Sequence, residues 1–305
     1  MTRYIVRRLI WLVPVLWFVA TITFVLMHKV PGGPFDREKR LPPQTIANLN
    51  RKYGLDKPGY EQYGLYLWHA VQGNLGNSYS SSDRPVTTVI SKGLQATATL
   101  GILALIVCVV SGLTIGIIAA LNRNGPLDYF SVFLATIGAS TPTFISGLLL
   151  IFLFALYLHW LPVEGWGDWQ HVVLPVIALA FFPTAYLARI TRASMLEVLG
   201  QDYVRTARAK GLRERGIVIQ HIVKNALIPV LTLIGPIAAN LVTGSFIIEF
   251  LFSIPGIGRA FVTSVSSRDY GLIMGITLFY AFIIAMANLI VDVLYGVVDP
   301  RIRYT

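Results

Sequence analysis

The sequence predicts an all-α integral membrane protein: six transmembrane helices, both termini cytoplasmic, a long external loop after the first helix and a short cytoplasmic helix between the fourth and fifth. Three observations carry that prediction. Hydrophobic residues make up 55% of the 305 and charged residues 13%, with a mean hydropathy of +0.64, a balance that excludes a soluble globule. Apolar runs recur at the length that crosses a bilayer, about 20 residues at 1.5 Å each for a core of about 30 Å. Lys and Arg are also distributed unequally between alternate loops.

The first span covers 9–27. Its flank holds Arg3, Arg7 and Arg8 like a signal peptide, but the uncharged run Leu9 to Met27 exceeds a typical h-region and no small-residue cleavage site follows. It therefore reads as a retained helix, and 1–27 form the first segment. Residues 28–93 form the external loop, with turn signals at "VPGGPFD", "LPPQ" and "DKPGY". Within it "YEQYGLYLWHAV" is helical, and Tyr60, Tyr63 and Leu67 share a face. That face suits either the membrane interface or an external partner, or a cap packed over the spans.

Residues 94–305 form the main transmembrane domain, with further spans at 95–121, 130–158, 172–188, 226–249 and 272–298. The fourth span is short and holds Pro175 and Pro183, yet dropping it would put the basic segment and the C-terminus on the wrong sides. With the N-terminus inside, 14 Lys and Arg fall on the cytoplasmic side, eight of them between Arg189 and Lys224; the two short outer loops hold only Arg259 and Arg268. The other nine lie in 28–93, which is long enough to translocate regardless of charge.

Several chemistries find no support. The net charge of +10 marks the cytoplasmic side of a membrane protein rather than a nucleic-acid partner. Cys108, the only cysteine, packs as a small hydrophobe in an apolar run. His28, His69, His159, His171 and His221 are scattered, with no HExxH, so no metal is expected. No Gly-Lys pair occurs, which removes a Walker A loop, and no GxSG or paired intramembrane Asp points to an enzyme.

The inner segment, 188–225, carries "DYVRTARAKGLRERG". As a helix it places Tyr203, Ala207 and Lys210 on one face, with Gly211 one turn beyond Ala207. Small residues four apart let another surface approach the backbone, and Gly211 is a helix stop. Arg205 and Arg208 share a neighbouring face, and Asp202 lies in the first turn, where the helix dipole favours a carboxylate. Two readings of the segment remain: a positive-inside loop on solvent or anionic membrane lipid, or a docking element for a cytoplasmic protein.

"RTARAKG" followed by "HIVKNALIP" resembles the cytoplasmic loop by which permease subunits of binding-protein-dependent ABC importers engage their ATPases. Thr206, Ala207 and Gly211 match the small residues of that pattern, and Ile228-Pro229 its end. The chain departs from it in having Arg205 at the acidic head position and a longer gap from Gly to Pro, as in the peptide-transporting branch. "IIEFLFSIPGIGRAF" (247–261), "NLIVDVLYGVVDPRIRY" (288–304) and "VPGGPFDREKRLPP" (30–43) resemble oligopeptide/dipeptide permease subunits, and the last is most similar to the oligopeptide B type.

The resemblance implies a bacterial plasma membrane subunit with no cofactor or catalysis of its own. Its implied partners are a second homologous permease, two ATPase subunits that bind ATP and Mg, and an external peptide-binding protein. It implies an ATPase-coupling set of Tyr203, Arg205, Thr206, Ala207, Arg208, Lys210 and Gly211. The alternatives are a proton-coupled secondary transporter working through Glu249 or Asp292, or a related permease for nickel or glycans.

Candidates for a pathway or gate come from polar and helix-breaking residues inside spans. Pro142 in "GASTPTF" is expected to kink the third span. Gly235-Pro236 and Asn240 raise the same reading for the fifth, where small residues serve helix packing equally well. Asn288 and Asp292, four apart, share a face of the last span, either hydrogen-bonded within the bundle or facing the pathway. Glu249, near the outer end of the fifth span, is expected to snorkel to the interface. "SIPGIGRAF" predicts a tight turn, either re-entrant or an ordinary reversal.

Overall fold

The structure, a computed structural model, describes residues 2–35, 42–80 and 84–298, with side chains over 4–35, 42–80 and 84–293. Every regular element among the described residues is helical, apart from one antiparallel bridge between Asn77 and Pro85. Chain contacts divide the molecule into two units, Met1–Thr97 with Pro255–Thr305 and Ala98–Ile254.

In the first unit, α1 (Thr2–Lys29) packs along α13 (Tyr270–Val298), with α2 (Pro43–Lys52) and α3 (Gly59–Val71) in the connection after α1. Only 6% of the apolar window of α1 is buried, so most of its surface is left for lipid or another chain. Ala20 and Met27 of α1 meet Ile273 and Met274 of α13, and α3 closes over this cluster with Tyr63, Tyr66 and Leu67. The Thr21 and Tyr63 hydroxyls share a hydrogen bond of 2.6 Å. α3 is thus a packed cap, with one correction to its face: Tyr66 packs inward while Tyr60 is 76% exposed.

The helix α4 (Val86–Leu121) starts nine residues before the span expected at 95. At 36 residues it is roughly 54 Å long, well beyond the hydrocarbon thickness. Its first turns bury Val86 and Ile90 against Ile257, Leu272, Ile276 and Tyr280, the last three on α13. Ile257 opens α12 (Ile257–Ser267), and its backbone N–H donates to Thr97 Oγ1 at 3.0 Å. The turn before α12 falls at Phe252–Ser253, with Ser253 at φ 55, rather than at the Pro-Gly stretch expected: Gly256 is the extended N-cap of α12 and Gly258 lies inside it, while Arg268, at φ 55, ends α12 in the left-handed region.

In the second unit, α5 (Pro126–Ser140) and α6 (Thr143–Leu150) both lie against α7 (Trp169–Leu199). α6 continues as a π-helical stretch, Ile151–Tyr157. The kink expected at Pro142 is a full break: the helices on either side differ in direction by 112°. Proline supplies no N–H and disfavours the helical region at Thr141, and Thr141 indeed has extended backbone at φ −98 and ψ 120. Around the break, Thr141 donates both its N–H, at 2.9 Å, and its Oγ1 hydroxyl, at 2.7 Å, to the Ile137 carbonyl, and the Ile145 N–H donates to that of Pro142 at 2.9 Å.

α7 runs eleven residues past the end expected at 188, through Pro175 and Pro183, so the inner segment begins at Gly200 rather than 188. A hydropathy window sees only the part of a helix that lies in lipid. After α8 (Asp202–Ala209), a single turn α9 (Glu214–Gly216) leads through a second π-helical stretch, Ile217–Val223, into α10 (Lys224–Val242). The expected span 226–249 is therefore displaced: the continuous helical span starts at Glu214, twelve residues earlier, and stops at Val242, just before Gly244 at φ 82. A separate short helix, α11 (Phe246–Leu251), carries Glu249.

Five of these helices are long and apolar enough to cross a membrane, and the pair broken at Pro142 makes a sixth if it counts as one span. Close glycine contacts hold the second unit together. A Cβ on Gly101 would lie 2.2 Å from the Leu241 carbonyl oxygen, and one on Gly116 2.7 Å from that of Ala188, so α4 meets α10 and α7 nearly backbone to backbone.

Candidate functional site

The segment between α7 and α10 is short, and its geometry follows from a few residues. α8 is amphipathic: Val204 is fully buried and Ala207 is 7% exposed. Both pack with Met195 of α7, Ile217 and Ile222 of the π stretch, Ala226 of α10 and Ala120 of α4. Burying a side chain such as Val204 contributes about 1.5–3 kcal/mol, so the helix is fixed to the body by an apolar seat. Ser194 Oγ adds a buried bond to the Ala226 carbonyl at 2.8 Å.

The end of α8 is a Schellman turn. The Gly211 N–H donates to the Arg208 carbonyl at 2.9 Å and the Leu212 N–H to that of Ala207 at 3.4 Å, while Gly211 takes φ 75. A Cβ built on Gly211 would meet nothing within 4 Å, so the space beside it is open. Across the turn, Arg208 donates to both carboxylate oxygens of Glu214, at 3.2 and 2.6 Å. This hydrogen bond raises the Arg208 pKa above its ordinary value. Tyr203 is 42% exposed and its hydroxyl accepts from Asn225 Nδ2 at 3.1 Å.

The expected coupling set therefore divides. Tyr203, Arg205, Thr206, Arg208, Lys210 and Gly211 form a continuous exposed surface. Ala207 turns inward, which corrects its assignment to a close-approach face: its small side chain lets α8 lie tightly on its own seat. Val204, three residues earlier, was the overlooked signal, since Val and Ala at this spacing mark one buried stripe.

The pathway candidates fall in different places. Pro142 precedes α6 as its N-cap, and Asn240 is exposed on α10. Glu249 is completely buried, which corrects the interfacial snorkelling expected of it: α11 is a separate short helix that turns it inward. In the first unit, Asp292 accepts from the Tyr4 hydroxyl at 2.9 Å and pairs with Arg8 Nη2 at 2.7 Å, tying α13 to α1, whereas Asn288 is exposed.

Two polar clusters escaped the sequence reading. Asp128, 3% exposed at the start of α5, takes a bidentate pair from Arg192 on α7, Nε at 2.5 Å and Nη2 at 2.7 Å. Asp269, 1% exposed, accepts from Ser78 Oγ, Tyr79 N, Ser80 N and Oγ, and Leu272 N at 2.5 to 3.1 Å. It thereby caps α13 and holds the connection after α3. The cap was legible as an Asp just ahead of an apolar run; its long-range partners were not. Among the described residues, no three His, Cys, Asp or Glu gather to hold a metal ion.

A broken helix pair among long apolar helices, with a short amphipathic helix presented on a rigid turn, is the build of a transporter membrane component. Residues 112–304 match the family "Binding-protein-dependent transport system inner membrane component" and 1–101 the corresponding N-terminal family, so the chain belongs to this family of multi-pass plasma membrane proteins. It is 44% identical to the dipeptide transport system permease protein DppB of Bacillus subtilis, over 99% of this chain and 98% of the relative. It is 42% identical to the oligopeptide transport system permease protein OppB of Escherichia coli, over the whole of both chains.

The two kinds of relative lie within a few per cent of each other. Part of the stretch used to distinguish them, 36–41, lies outside the described residues, as do the basic residues Arg301 and Arg303. Among solved structures, an amino acid ABC transporter crystallised with histidines superposes with a TM-score of 0.54 at 20% identity, over 68% of this chain and 93% of that one. At that identity the likeness establishes the fold alone.

Proposed function

We propose that this chain is one of two homologous permease subunits of an ATP-driven, binding-protein-dependent importer of peptides, of the oligopeptide/dipeptide type. The observation that carries the reading is α8: an exposed face from Tyr203 to Gly211, seated on a rigid apolar base and ended by a Schellman turn with open space at Gly211. Two cytoplasmic ATPase subunits bind ATP and Mg, and one of them docks on this face. An external peptide-binding protein delivers substrate on the opposite side, and this chain performs no chemistry. In this arrangement both termini are cytoplasmic, residues 1–27 and 28–93 form the first span and external loop, and 94–305 form the transport domain with the α5–α6 pair as one broken span.

The seat explains why such a helix transmits movement. Packed interfaces move as bodies rather than deforming continuously, so displacement of α8 is passed to α7 and α10 through Met195, Ile217 and Ala226. The test is uptake of labelled di- and oligopeptides by the whole complex in proteoliposomes, with ATP and the binding protein. Thr206→Trp and Gly211→Trp should lower uptake by about tenfold or more while the complex still hydrolyses ATP. A Cβ on Gly211 meets no atom of this chain, but φ 75 strains any side chain there, so Thr206→Trp, on the exposed surface of the helix, is the variant whose interference reports the partner. Unimpaired uptake in both variants would sink the docking assignment, and uptake driven by a proton gradient without ATP would sink the importer reading.

A further inference from the structure

A groove runs between α4, α5 and α7 in the second unit. It consists of two cavities, about 190 and 200 Å³, joined through Ile115, Ser131, Ala135 and Ala188, which line both. The walls are apolar, relieved only by short hydroxyls such as Ser111 and Ser131, whose protons are committed to the carbonyls of Val107 and Leu127. No carboxylate lines either cavity. One end of the groove is bounded by Arg189 and Arg192.

The two arginines are not equivalent. Arg192 is neutralised by its bidentate pair with Asp128. Arg189 is exposed, lies 5.8 Å over the Tyr186 ring and has no carboxylate partner among the described residues. A long apolar trough in a membrane helix bundle, closed at one end by an uncompensated guanidinium, matches a molecule with a hydrocarbon tail and an anionic head.

We propose that this groove is a binding site for one anionic diacyl phospholipid of the cytoplasmic leaflet, an acyl chain lying along Ser131 and Ala135 and the phosphate meeting Arg189. The charge selects the lipid class: a zwitterionic headgroup carries its own cation and gains less from Arg189. The leaflet follows from the proposed orientation of α7, whereas occupancy of the groove does not depend on what the importer carries.

The whole permease–ATPase complex, purified in mild detergent, is incubated with phosphatidylglycerol or phosphatidylcholine, and bound lipid is counted by native mass spectrometry. The expected result is a preference for phosphatidylglycerol that falls about fivefold in Arg189→Gln, and loss of the site for both lipids in Ser131→Phe, which fills the junction of the cavities. Thermal melting of each variant identifies any that fail to fold; Arg189→Lys should fold normally and restore the preference. Equal occupancy by the two lipids, or no change in Arg189→Gln, overturns the proposal. So does cross-linking that places a helix of the second permease, or the transported peptide, in the groove. None of these readouts requires transport, so their failure is separate from failure of the importer reading.

Discussion

The two connections that matter most in this chain are fastened by opposite chemistry. The inner one, Gly200–Arg213 with α8, rests on an apolar seat of Val204 and Ala207. The stretch Ser78–Ser80 is fastened by one buried carboxylate, Asp269, which collects five hydrogen bonds. An apolar seat has no preferred direction and survives small sliding. A carboxylate with all its donors in place is intact or broken. Under the proposed function, the first is a part pushed by a partner and the second a part that must keep its shape.

Breaking the carboxylate should have the largest effect. Asp269→Ala leaves several buried donors without acceptors and uncaps α13, for a loss of about 4 kcal/mol. It should be read as a lowered melting temperature and faster proteolysis near Ser78, with Asp269→Asn retaining part of the stability. Next is Val204→Asp, which puts a charge into the seat. The helix escapes the cost by lifting off, so the loss is limited to the docking energy of α8, about 3 kcal/mol. Exchange of the α8 amides should rise while the rest of the complex stays protected.

A third expectation concerns Tyr79, beside the carboxylate. Burial above all, then the charge of Asp269 and Tyr270, raises its pKa from 10.0 to about 12. A raised tyrosine pKa means the neutral phenol is favoured in the fold. Stability is therefore complete below pH 10.0 and lost as pH rises towards about 12, by up to about 2 kcal/mol; phenolate absorbance against pH checks the midpoint. The smallest effect is expected of Glu214→Gln. Its pair with Arg208 is exposed on both sides, so the melting temperature should stay within experimental scatter.

Much of this was legible in the sequence, and the failures have physical causes. Apolar length located the spans, but it could not show that α7 continues through Arg189 and Arg192 to Leu199, because hydropathy is silent once a helix leaves lipid. The helix in "DYVRTARAKG" and its stop at Gly211 were readable from spacing. Which face turns inward was not, because a partner and the chain's own core both ask for small residues. Asp128 and Arg192 are 64 positions apart, and no local pattern joins them. Glu249 depended on a break at Thr243–Ser245 that carries only a glycine as warning.

The π-helical stretch Ile217–Val223 has a mechanical consequence of its own. A π turn holds one residue more than an α turn over the same rise, so it stores a spare register position in the shaft that carries α8. Letting it relax into α-helix would index everything on one side by a single residue, about 1.5 Å along the axis and about 100° around it. The handle is thus mounted on a splined coupling rather than a welded one, with one tooth of adjustment built into the chain.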